Sequence, residues 1–168
     1  MTTAWFARVG LPLTPEEDAA VAELTRIAAP HALGAVTVLA SWQDAAAVVR
    51  EADRDATWWD QEEEERESLW ARAAEHHTEA ELLQHLIAVS LALDAEVRGA
   101  AHAAVTAAGL ADAAIAIEAT GMALLAAHQS ALADLAGEGP EHRFTRKYAL
   151  FVGGRWPLGY HSARFVIF

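Results

Sequence analysis

Hydrophobic positions along the chain change period several times, and the changes outline the fold. "AWFARVG" at 4–10 is short, apolar and aromatic and predicts a strand. In "TPEEDAAVAELTRIAA" Thr14 can cap, Pro15 suits the first helical position and Glu17 closes a capping box, so a helix is expected to about Ala29, stopped by Pro30. "GAVTVLA" at 34–40 reads as a second strand, parallel to the first, and Ser41 with Asp44 opens a helix to about Arg54.

The middle of the chain has helical periodicity throughout. One helix is expected from Asp60 to His77, and a second capping box, Thr78 with Glu81, starts a long helix to about Thr106. Gly109 is a natural stop before another helix over 111–136, and so short a turn makes the two long helices an antiparallel hairpin. The chain then reads as a β-hairpin, with strands at 144–152 and 161–168 and an eight-residue connection between them. The expected class is α+β in one domain: a β-α-β-α half (1–56), a helical insertion (57–138) and a C-terminal hairpin (141–168) completing a mixed four-stranded sheet.

Composition narrows the chemistry. With 168 residues the chain can bury a full core, and with no cysteine it has no disulfide, thiolate ligand or thiol nucleophile. The start of the chain lacks the basic and apolar regions of a signal peptide, and no apolar run approaches a membrane span, so a cytoplasmic location is expected. Abundant alanine, and one lysine against eleven arginines, resemble the coding bias of a GC-rich bacterium. A net charge of −12 argues against nucleic acid as a partner. The charge is also uneven: residues 1–140 carry −16, whereas residues 141–168 carry +4.

Helical wheels place a few polar residues among apolar ones. In the helix over 111–136 the apolar arc centres on Ile117, Leu124, Leu132 and Leu135, with His128 in its middle and Glu118 at its edge. In the preceding helix Leu83, Leu86, Leu93 and Val97 define an arc that also holds Ser90 and Asp94, with Arg98 on its border. A turn at Gly109 sets Ser90 level with His128, Asp94 one turn away, and Arg98 within reach of Glu118. A serine nucleophile is not expected here, because a mid-helix serine has no oxyanion donors beside it. The cluster reads either as a satisfied core network or as a pocket in which Asp94 or Glu118 and His128 exchange protons with a small ligand, assisted by Arg98. Glu75, His76, His77, Glu81 and His85 have the wrong spacing for a carboxylate–histidine metal site, so neither metal nor cofactor is expected.

Two surfaces remain. "WWDQEEEERESLW" at 58–70 predicts Trp59, Arg66 and Trp70 facing inward, with Glu62, Glu63, Glu64 and Glu65 forming an acidic face toward a basic partner or toward the basic tail. In "GGRWPLG", Pro157 stiffens the connection and Arg155 with Trp156 has the character of an interface anchor, the alternative being that Trp156 folds back to cover the helices. The expected function is therefore that of a small acidic bacterial protein that binds a protein partner, of an immunity or accessory type. The alternative is a cofactor-independent acid/base enzyme of small-molecule metabolism using the helical-hairpin pocket. Membrane binding is not expected, and homo-oligomerisation is left open.

Overall fold

The computed structural model describes residues 3–28, 35–50, 56–111, 113–161 and 163–168. The Pro30 stop, the start of the second expected strand and the end of the helix after Ser41 lie outside them. Within them the chain is mostly helical and carries a small mixed sheet. Helices α1 (Pro15–Ala28), α2 (Trp42–Arg50), α3 (Ala56–Ala73), α4 (Glu79–Ala107), α5 (Ala113–Leu135) and α6 (Arg143–Val152) surround strands β1 (Val36–Val38), β2 (Pro157–His161) and β3 (Arg164–Ile167).

Local signals act where they were expected. The Thr14 hydroxyl accepts from the Glu17 N–H while the Glu17 carboxylate accepts from the Thr14 N–H, and Thr78 and Glu81 repeat the arrangement at the start of α4. Each box satisfies two of the amide donors that a helix start leaves without a partner. Gly109 adopts φ 73°, the left-handed conformation that ends α4 at little cost.

Two expected strands are not strands, and the sheet among the described residues has three strands instead of four. Residues 5–10 form turns, with Phe6 at φ 57°, and the Arg8 N–H donates to the Gly154 carbonyl instead of entering a ladder. Residues 143–152 form α6 because Phe144, Lys147, Leu150 and Phe151 recur with helical spacing and are all buried. Phe, Tyr and Val in that segment are β-type residues, but burial of a 3.6-period face outweighs their propensity.

The sheet order is β1-β3-β2, with β1 parallel and β2 antiparallel to β3. Side chains of β3 alternate between two cores. Phe165 and Ile167 join Val21 and Leu24 of α1, Trp58 of α3 and Leu150 of α6. Val166 and Phe168 join Trp5, Phe6, Trp42 of α2, Trp156 and the alanines of α5. The segment expected as a loop, 153–160, is thus half strand, and all of it after Gly153 is buried. Gly159 stands at a bulge with φ 91°, and a Cβ there would come within 2.9 Å of the Trp58 indole nitrogen.

Candidate functional site

The helical hairpin turns its faces differently from the pattern of large apolar residues. On α5 the buried arc is built from Ala116, Ala119, Ala123, Ala126 and Ala133, with Ile115 and Leu132 at its ends. Small side chains let α5 approach its neighbours closely. Of the arc expected inside, Ile117 alone turns outward, at 71% exposed, whereas Leu132 is buried and Leu124 and Leu135 are half-buried. On α4 the buried residues are Leu82, Val97, Ala101 and Val105, four in a helix of 29. Leu83 and Ile87 lie on its outer surface, and Leu91 is 78% exposed.

Ile87 and Leu91 are one turn apart, and Asp94, Arg98 and His102 continue the same flank of α4. That flank and the outer side of α5 border an open groove of about 940 Å³. It is lined mainly by small residues, Ala95, Gly99, Ala113, Ala116, Thr120 and Gly121, together with Ile117 and Leu124 of α5. The face thus combines protruding large apolar groups with a channel of small ones. Such a surface suits a packed helix better than a small charged substrate.

The polar cluster expected along this hairpin divides. The Ser90 hydroxyl and His128 Nε2 are hydrogen-bonded at 2.6 Å, so the two residues stand level across the hairpin. Asp94 does not join them, because both of its oxygens accept from Arg98 Nη2 at 2.7 and 2.8 Å within α4. Glu118 lies on the opposite flank of α5, beside Trp59, Trp156 and His161, and out of Arg98's company. These residues do not converge on one reacting position, which acid/base catalysis requires. Among the described residues no three His, Asp or Glu side chains gather as metal ligands, and no helix is long and apolar enough to cross a membrane.

The four glutamates of α3 also part company. Its inward face is Trp58, Glu62, Leu69 and Ala73, about 70° around the helix from the expected Trp59–Arg66–Trp70 face. Glu62 is 3% exposed and accepts from Lys147 Nζ at 2.7 and 2.8 Å and from Gln129 Nε2 at 3.2 Å. Arg143, one turn from Lys147 on α6, stands 3.7 Å from the same carboxylate and lies over the Trp58 ring at 4.9 Å. Burial pushes the Lys147 ammonium below the usual lysine range, and the Glu62 charge opposes that shift. Glu65 meets His142 at 3.1 Å, Glu63 pairs with Arg66 along the helix, and Glu64 is exposed. Lys147 and Arg143 of the basic tail are thereby matched within the chain. A sequence signal existed: the only lysine and Arg143 share a helical face once 143–152 is read as a helix.

Arg155 and Trp156 are likewise interior instead of standing at a loop tip. Trp156 is fully buried among Trp42, Phe6 and Phe168. Arg155 donates to the Leu11 and Pro12 carbonyls and to both Glu17 oxygens, the shortest at 2.6 Å. Burial alone would raise the Glu17 pKa, but hydrogen bonds from Arg155, Arg8 and the Thr14 N–H outweigh it and hold the carboxyl at about 2. A carboxyl depressed on folding adds stability above its unfolded pKa of about 4.3 and loses it as pH falls through the folded value. Glu17→Gln should therefore be less stable than wild type at neutral pH, and the gap should close as pH approaches 2. Urea midpoints of both proteins across that range test this, and a gap independent of pH would contradict it.

Set beside known proteins, this chain matches no family model, no curated protein and no solved structure.

Proposed function

We propose that this protein works by binding another polypeptide across the outer face of the α4–α5 hairpin, as a small cytoplasmic accessory protein of bacterial origin. The observation that carries the reading is the exposure of Ile87, Leu91 and Ile117 on a face whose groove is lined mainly by small residues. Each such side chain gains about 1.5–3 kcal/mol when it is fully buried. Large apolar side chains left exposed on one face in this way mark interaction sites. The acidic outer face of α3, with Glu63 and Glu64, is left free by this mode of binding and is available to steer a basic partner.

The test uses tagged wild-type protein and a Leu91→Glu, Ile117→Glu double variant, each co-expressed with an untagged copy of the same chain. A stoichiometric polypeptide, either a different chain or the untagged copy, should accompany the wild type. The variant should lose it, because two central anchors cost 2 kcal/mol or more of binding, about thirtyfold. Exposed substitutions move folding stability by only about 0.5 kcal/mol, so both proteins should melt alike. Equal retention by the two proteins would remove this face from consideration.

A further inference from the structure

The face on α4 and α5 also indicates its occupant. Resting on the reading that this face binds a polypeptide, we infer that the polypeptide is a second copy of this chain, docked antiparallel about a two-fold axis so that Asp94 of each copy meets Arg98 of the other.

Charge is the first argument. The chain carries −12, so two copies repel each other over most of their surface. Yet the 52 residues from Leu82 to Ala133 hold only five of its 36 charged residues: Asp94, Glu96, Arg98, Asp112 and Glu118. Of these, Glu96 accepts from the Trp5 indole N–H and Glu118 lies on the other flank of α5. Among the described residues that line the groove, the acid and the arginine are Asp94 and Arg98, a neutral pair that is well exposed on both sides, with His102 one turn further along α4. Two acidic molecules meet there with the least repulsion.

Self-complementarity is the second argument. Ser90 lies level with His128, which puts residue 96 of α4 level with 122 of α5. An axis at that height passes beside Gly121, where the absence of a side chain permits close approach. The same axis sets position 94 of one copy opposite position 98 of the other, negative against positive. An isologous contact needs both a projection and a recess on one surface, and Leu91 and Ile117 beside the Gly99–Gly121 channel supply them.

Size is the third argument. From Leu83 to His102 the face is about 30 Å long, and two helices side by side make it about 20 Å wide. That is roughly 600 Å² before side-chain relief is counted, against about 800 Å² per partner in a standard stable interface. The product is a four-helix bundle made of two hairpins.

Light scattering on purified protein tests the inference. Wild type should have about twice the 18.0 kDa chain mass, and Leu91→Glu with Ile117→Glu should return it to the chain mass with its helical circular dichroism retained. Asp94→Arg alone and Arg98→Asp alone should each be monomeric, while an equimolar mixture of the two should restore the dimer. A monomeric wild type, a dimeric double variant, or a mixture that stays monomeric would each overturn the arrangement. If wild type is monomeric but a different chain still co-purifies through Leu91 and Ile117, the second copy is ruled out while the binding face stands. If nothing depends on those residues, both fall.

Discussion

Glu62→Leu is expected to destabilise the fold by about 3–5 kcal/mol, the loss that follows when one partner of a buried ion pair is removed. The substitution deletes the anion that Lys147 contacts at 2.7 Å and that Arg143 faces at 3.7 Å, leaving two cations in the interior. Gln129 loses its hydrogen-bond acceptor at the same time. In a chain of this size each kcal/mol corresponds to about 2–4 °C, so melting should fall by roughly 10 °C or more. Adding Lys147→Met should recover part of the loss, because an apolar pair of similar volume avoids the desolvation cost of both ions. Thermal denaturation of the two variants checks the sign: a single variant that melts like wild type would mean that water, and not Glu62, compensates Lys147.

Trp156→Ala should cost a comparable amount, about 3–5 kcal/mol, through the cavity left by a large ring. That ring is fully buried, 5.8 Å from Trp42 and 6.4 Å from Phe6 between centroids. Its backbone also closes the sheet, since the Trp156 N–H donates to the Phe168 carbonyl and the Phe168 N–H donates to the Trp156 carbonyl. Trp156→Phe, which retains an aromatic group, should lose less. Denaturant midpoints measure both effects, and association through Leu91 and Ile117 should be undiminished in any variant that remains folded. A fully stable Trp156→Ala protein with weakened association would return this tryptophan to the surface.

Interactions local in sequence were legible before the structure. The capping boxes at Thr14 and Thr78, the stop at Gly109 and the short turn that makes α4 and α5 antiparallel each depend on residues within one turn of one another. Level pairing of Ser90 with His128 followed from counting along that hairpin. These features are set by backbone hydrogen bonds and φ preferences, which neighbouring residues control.

Interactions between distant segments were decided by packing. "TRKYALFV" has strand-like residues, yet it winds into α6 because the α1 and α5 sides together bury Phe144, Leu150 and Phe151 at helical spacing. Trp5 and Phe6 enter the core from turns, not from a strand, since the site they fill is shaped by Trp42 and Trp156. Which residues of α5 face inward depended on close approach, which its alanines allow, so Ile117 was left outside while Ile115 and Leu132 are buried. The pairing of Glu62 with Lys147 spans 85 residues. Composition shows that acid and base are present in both regions, but burial energy and proximity, which exist only once the helices have packed, determine which charges face each other and which apolar face remains open to a partner.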